Sequence, residues 1–285
     1  MFEITFTGTG NAGQVPVWGC RCRACIRAVA DPSHRRRPCS LAIRTPLGIT
    51  LIDAGRTDLA ERYAFDDIHR IVLTHFHMDH VQGLFHLRWS ERPEKIPVFR
   101  PDDPVGADDL YKHPGVLAFQ PPLVPFEPVI WEDFSITPLP LEHSKITLGY
   151  LLETDGFRVA YLTDTAGLPD DTAAFLSNLS PDTLPAGTLP TCTLPKGSLP
   201  AGTLDYLIID CSEPPRAIPP KNHNDVTRVL EIYRQLQPKK MVLTHISHRL
   251  DCWLLDSPQT LPDNVIIARD DMVISAPSFY QKKIR

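Results

Sequence analysis

A layered α/β domain is the fold class this sequence predicts, and three observations predict it. Short apolar, β-branched runs bounded by Gly, Pro and Asp recur at 4–7, 41–44, 49–52, 71–74, 96–99, 134–141, 149–153, 159–163, 207–209, 241–244 and 265–268, and these read as strands. Helical spacing of apolar residues appears between them at 25–30, 81–89, 170–179 and 225–236, the last with Asp225 as N-cap. Three of the strands also end alike: Ile71-Val72-Leu73-Thr74-His75, Ala160-Tyr161-Leu162-Thr163-Asp164 and Met241-Val242-Leu243-Thr244-His245. Strands with helices between them point to sheets covered by helices. Ligands bind in the crevice beyond strand C-termini, so three polar strand ends can converge on one site.

The composition narrows the function classes. With 42% hydrophobic and 22% charged residues, the chain is that of a globular protein able to bury a sizeable core. A net charge of −5, with both signs spread along the chain, gives no basic footprint for a nucleic-acid backbone. Glu3 stands where a signal peptide wants base, and no run approaches the roughly 18 apolar residues that span a bilayer. A cytoplasmic protein with no membrane partner is expected. One domain is expected over 1–285, with a metal-binding loop at 16–26 and a low-complexity insertion at about 181–204. Within that insertion a Leu-Pro pentapeptide repeats through 184–203. Its regularly spaced Pro forbids helix interior and central strand, so it reads as a surface segment.

The strongest chemical signal is His75-x-His77-x-Asp79-His80, which follows a strand and precedes a helical run. A turn of that kind fans alternate side chains toward two points. His75 and His77 are expected to bind one metal, and Asp79 with His80 a second. Imidazole and carboxylate suit zinc, manganese or iron. Two such ions can activate water near neutral pH, which makes a hydrolase. Cys20-x-Cys22-x-x-Cys25 is the second constellation, three of the seven cysteines in the chain. Thiolates so close repel one another unless a cation neutralises them, and zinc wants a fourth ligand. The residues alone suggest Cys39 for that place.

The His75–His80 run resembles the signature of the metallo-β-lactamase superfamily. Five further segments are similar to the PhnP family of phosphodiesterases within it: 15–20, 80–85, 138–145, 163–169 and 244–248. The resemblance implies a four-layer αββα sandwich. It implies that His143 completes the first metal's ligands, that Asp164 bridges both metals, and that His245 completes the second set. Asp79 is expected to serve as a catalytic carboxylate as well as a ligand. Asp53 falls where the superfamily has an acid near the site, and its expected role is to hold a ligand imidazole. For the cysteine loop the resemblance points to His248, giving a structural zinc on Cys20, Cys22, Cys25 and His248. His223 is implied as the general acid, a role that imidazole fits near neutral pH.

The expected activity is hydrolysis of 5-phosphoribosyl 1,2-cyclic phosphate to ribose 1,5-bisphosphate in phosphonate breakdown. Two manganese ions (or zinc or iron) in the active site, a small sugar-phosphate substrate, no nucleic acid and a homodimer complete the expectation. Three alternatives share the metal signature or the cysteine loop: a tRNA 3′-processing endonuclease, a lactone or thioester hydrolase, and a PqqB-like non-hydrolytic carrier. Every ligand position is filled here, whereas the carrier predicts a degraded site. Gly8-x-Gly10-x-x-Gly13 mimics a dinucleotide fingerprint, but Pro16 and Trp18 stand where its helix should begin, so a tight loop is expected. The basic run His34-Arg35-Arg36-Arg37 is expected at the solvated surface, with contact to a substrate phosphate as the competing reading.

Overall fold

The computed structural model describes residues 2–64, 66–107, 109–179, 204–257 and 261–277. The first sheet holds β1 (Glu3–Gly8), β2 (Ser40–Thr45), β3 (Gly48–Ile52), β4 (Ile68–Val72), β5 (Ile96–Phe99), β6 (Leu117–Phe119) and the last strand, β14 (Val273–Ser275). The second holds β7 (Val129–Ile130), β8 (Ser135–Leu141), β9 (Thr147–Thr154), β10 (Phe157–Leu162), β11 (Tyr206–Asp210), β12 (Lys240–Thr244) and β13 (Val265–Ile267). Their orders are β14-β1-β2-β3-β4-β5-β6 and β13-β12-β11-β10-β9-β8-β7. The helices are α1 (Arg23–Ala30), α2 (Leu59–Arg62), α3 (Met78–Val81), α4 (Leu84–Leu87), α5 (Asp170–Ser177), α6 (Val226–Leu236) and α7 (His248–Asp256).

Alternation along the strands builds the layers. In β10, Val159 and Tyr161 point into one apolar cluster while Ala160 and Leu162 point into another. Side chains on successive residues of a strand face opposite ways, so a sheet apolar on both faces must be covered on both. The central cluster joins Ile4, Phe6, Leu41 and Val72 of the first sheet to Tyr150, Tyr161, Ile208 and Val242 of the second. Outside the second sheet, Leu207, Ile209 and Leu243 pack with Leu176 of α5, Val229 of α6 and Leu250 of α7. Outside the first, Leu51 and Ile71 pack with Leu59 and Leu84 of α2 and α4. Helices, sheet, sheet, helices: this is the four-layer αββα sandwich. No helix among the described residues is long and apolar enough to cross a membrane.

Local structure departs from expectation in three places. The single helix expected at 81–89 is two short ones that begin earlier, at Met78. Gly83 sits between them, and a Cβ there would lie 2.1 Å from the carbonyl oxygen of Arg56, so this turn is pressed against the 54–56 loop. Helix α7 was not expected; its N-cap is Ser247, whose hydroxyl accepts from the Leu250 amide. Strands β6, β7 and β14 are two or three residues long, too short for a periodic signal. The insertion expected at about 181–204 lies outside the described residues except Leu204, which is buried in the outer cluster of the second sheet.

Candidate active site

Strands β3 and β4 run parallel, as do β10, β11 and β12, so their C-terminal ends deliver Asp53, His75, Asp164, Asp210 and His245 to one edge. Three of these residues have left-handed backbone: φ is +63° at Asp53, +61° at Asp164 and +59° at His245. Non-glycine residues occupy that region at a cost, which concentrates at functional sites. Each turns the chain sharply at the strand end and leaves a buried polar side chain there.

The two oxygens of Asp164 face different imidazoles. Oδ2 lies 3.6 Å from His75 Nε2 and 3.5 Å from His143 Nε2. Oδ1 lies 3.4 Å from His80 Nε2 and 3.2 Å from His245 Nε2. His77 joins the first set, its Nδ1 being 2.9 Å from His75 Nε2 and 3.1 Å from His143 Nε2. Asp79 joins the second, its Oδ2 being 3.5 Å from His80 Nε2 and 3.7 Å from His245 Nε2. One potential ligand atom from each member of His75, His77, His143 and Asp164 falls within 4.8 Å of the others, and so it does for Asp79, His80 and His245. The sequence-expected residues are thus brought together as two groups that share one carboxylate.

Hydrogen bonds on the far side of each ring fix which nitrogen faces the cluster. Asp53 accepts from the Thr74 amide and hydroxyl and from His80 Nδ1. Because the Thr74 hydroxyl gives its proton to Asp53, it accepts from His75 Nδ1, at 3.0 Å. His143 Nδ1 donates to the Asn222 carbonyl at 2.9 Å, and His245 Nδ1 meets the Ser212 hydroxyl at 2.9 Å. On the neutral ring, Nε2 of His75, His80, His143 and His245 then carries the lone pair. Nε2 of His80 and of His245 is buried and has no hydrogen-bond partner. Buried polar atoms rarely go unpaired, and unpaired imidazole lone pairs facing carboxylates are the donor set of a divalent cation.

Electrostatics agree. Burial drives His75 well below the usual imidazole range, and His77 and His143 are lowered for the same first reason. Burial opposes charge on Asp164 and Asp79, yet the surrounding His245 and His80 hold both carboxyls well below the ordinary range. Burial also opposes charge on His80, and Asp164 with Asp53 overcome it to raise that ring well above its usual value. The place where His80 Nε2 points therefore calls for positive charge. Ionised carboxylates and mostly neutral imidazoles are the state that metal ligation needs.

His223 stacks on His245 with ring centroids 4.8 Å apart and tilts against His143 at 5.2 Å. Its Nδ1 lies 2.8 Å from Oδ2 of the buried Asp210. Burial works against its charge, but Asp210 outweighs burial and the ring is pushed up to about 9. Asp210 also accepts from the Thr165 amide, next to Asp164. Sequence reading missed Asp210 and Ser212. The apolar run at 207–209 stops one residue short of Asp210, although the strand ends in an acid as the others end in Asp or His.

The cysteines form a separate cluster. Sγ of Cys20 and of Cys22 lie 3.3 and 3.5 Å from His248 Nδ1, and Cys25 completes a group within 4.8 Å. Cys39 is not part of it: it is buried between the sheets, 3.2 Å from the Thr244 hydroxyl. The glycine-rich segment is a tight loop, as expected. Gly10 bridges to Pro38 and to Ile246, next to His245, and a Cβ on Gly8 would meet the Pro38 carbonyl oxygen at 1.9 Å. The basic run has Arg37 exposed and His34 and Arg35 half-buried, and departs from both readings at Arg36. Arg36 is buried, with Nε and Nη2 each 2.9 Å from the Asp251 carboxylate and Nη1 donating to Thr9 and Ala268. It is neither solvated nor at the metal-ligand cluster, because α7, unforeseen in the sequence, brings Asp251 to it.

The sequence pattern described as the Beta-lactamase superfamily domain matches residues 50–246, which take in Asp53, His245 and all the clustered side chains between them. The chain belongs to the metallo-β-lactamase superfamily. Among superfamily structures, a diphosphatase from the PhnP family superposes with a TM-score of 0.72 at 24% identity, covering 96% of each chain. Coenzyme PQQ synthesis protein B of Methylobacterium radiotolerans is 26% identical over 210 residues, 62% of this chain and 70% of that one. An octanoyltransferase of Porphyromonas gingivalis is 29% identical over 173 residues, 55% of this chain; the match spans 33% of that longer protein.

Proposed function

We propose that the chain is a dinuclear metal-dependent phosphodiesterase that opens 5-phosphoribosyl 1,2-cyclic phosphate to ribose 1,5-bisphosphate in phosphonate breakdown. One observation carries the reading: Asp164 turns one oxygen to His75 and His143 and the other to His80 and His245. His75, His77, His143 and Asp164 would hold one ion, and Asp79, His80, His245 and Asp164 the other. The unpartnered Nε2 atoms of His80 and His245 fit such occupancy. Manganese is the proposed pair, on a ligand set that also accepts zinc or iron. A structural zinc is assigned to Cys20, Cys22, Cys25 and His248. When bound, the two ions would supply an activated water and neutralise charge on the non-bridging phosphoryl oxygens.

The protein's own groups do the rest. Asp210 holds His223 by Nδ1, which leaves Nε2–H free to protonate the departing ribose oxygen as its bond to phosphorus breaks. Water's oxygen takes that oxygen's place on phosphorus, and the proton it releases goes to solvent, from which His223 is reprotonated. Asp79 and Asp164 stay ionised throughout, and the Asp53 and Ser212 contacts keep His80 and His245 from turning. A net charge of −5 argues for a small substrate over a tRNA precursor. Cytoplasmic location and a homodimer belong to the same reading.

A second reading, a non-hydrolytic partner in cofactor synthesis, is favoured by the match to coenzyme PQQ synthesis protein B. Purified protein of measured metal content should be assayed on the ribose cyclic phosphate, on bis(p-nitrophenyl) phosphate and on a tRNA precursor. Metal-dependent opening of the cyclic phosphate supports the first reading. Cleavage of RNA alone sinks it, and no turnover of any substrate favours the second.

A further inference from the structure

His34, Arg35 and Arg36 of the basic run take no part in the proposed reaction, yet they line a cavity of about 480 Å³ that none of the clustered metal-ligand candidates touches. Its cationic wall is Arg27, Arg35 and Arg269, and its apolar side is formed by α7 and β13, with Leu254 and Ile266. The volume falls within the roughly 300–1,000 Å³ of small-molecule sites.

Charge does not balance there. Asp251 is the one acid lining the cavity, and Arg36 occupies both of its oxygens. Arg27 comes only to 4.0 Å of that carboxylate, and its buried Nε has no hydrogen-bond partner. Arg35 spends its Nε on the carbonyl of Ala28, a neutral acceptor. Arg269 has no carboxylate within 4.0 Å among the described residues. Three guanidinium groups around one half-apolar hollow repel one another, and the planar donor forks they present match phosphate oxygens.

We propose that this cavity binds a small phosphate monoester, its dianionic phosphate on Arg27, Arg35 and Arg269 and its apolar group against Leu254 and Ile266. The site stands independently of the proposed phosphodiesterase reaction. It is coupled to the active site through the chain: α7 opens at His248, three residues after His245, and Arg36 fixes that helix through Asp251. Phosphate seated on the cavity wall would stiffen the junction of α1, α7 and β13.

Phenyl phosphate is the probe, titrated calorimetrically into the full-length protein and into the Arg35→Gln/Arg269→Gln double variant. The wild type is expected to show a saturable binding event, separate from binding at the active-site metals, that the variant weakens by about tenfold or more, at least the scale of one lost charge-assisted contact. Inorganic phosphate should bind that site more weakly than phenyl phosphate does. Hydrolytic kcat/KM and the unfolding midpoint without phosphate should stay unchanged in the variant. The same number and affinity of binding events in both proteins overturns the site. Equal affinity for inorganic and phenyl phosphate overturns the place given to the apolar group.

Discussion

Oδ2 of Asp53 accepts from Nδ1 of His80 at 2.7 Å, and this contact decides which nitrogen of the ring faces Asp164. Thr74 carries the same control to His75, since its hydroxyl gives to Asp53 and accepts from His75. One buried carboxylate thus orients an imidazole in each of the two groups. In Asp53→Asn the amide can present its NH2 to His80 and favour the wrong tautomer. Metal affinity at the active site should fall roughly 10–100-fold, the usual cost of losing such a partner. Metal content after dialysis against a weak chelator checks this, with zinc at the cysteine cluster retained.

His223→Ala should leave metal content intact and lower turnover of the ribose cyclic phosphate by roughly 10²- to 10⁴-fold, the range for a lost general acid. The loss should shrink on bis(p-nitrophenyl) phosphate, whose leaving group needs no proton. Equal losses on both substrates, or a drop in metal, would remove the general-acid role.

Asp210→Asn tests the same proton through pH. Asp210 raises His223, so its removal lowers the ring's pKa. A general acid acts only while protonated, and activity is lost as pH rises through its pKa. The alkaline limb of kcat/KM for the cyclic phosphate should therefore move to lower pH in the variant. An unmoved limb would show that another group titrates there.

How much of this was legible in the sequence follows from the range of the contacts. The strands were read because Val159, Ala160, Tyr161 and Leu162 alternate between two apolar layers, so both faces had to be apolar. His75 to His80 declare themselves because four polar side chains crowd one turn. Asp210 and Ser212 act on His223 and His245 across the fold, from positions 13 and 33 residues away, and no local pattern marks such pairs. Arg36 and Asp251 are 215 residues apart, so the run that looked like a surface patch gave no sign of its buried partner. The left-handed backbone at Asp53, Asp164 and His245 was equally hidden, since no glycine announces it.

At the cysteine cluster, burial pushes the Cys25 thiol up to about 12 in the absence of a cation. Zinc must displace that proton, so its binding should release protons and weaken as pH falls. Cys25→Ser should lose zinc and lower the unfolding temperature. It should also reduce activity indirectly, because His248 begins the helix that follows the His245 loop. Proton release measured on zinc addition, with unfolding followed in the same samples, checks both halves.

The central claim is that Asp164 joins two metal ions. Metal analysis of the pure wild type and of Asp164→Ala, both grown with manganese and zinc, tests it most directly. Three ions per chain are expected in the wild type, two at the active site and one on the cysteines. A single ion, zinc, is expected in Asp164→Ala, with hydrolysis abolished. A wild type that holds only one ion outside the cysteine cluster, or a variant that keeps two there, would contradict the account.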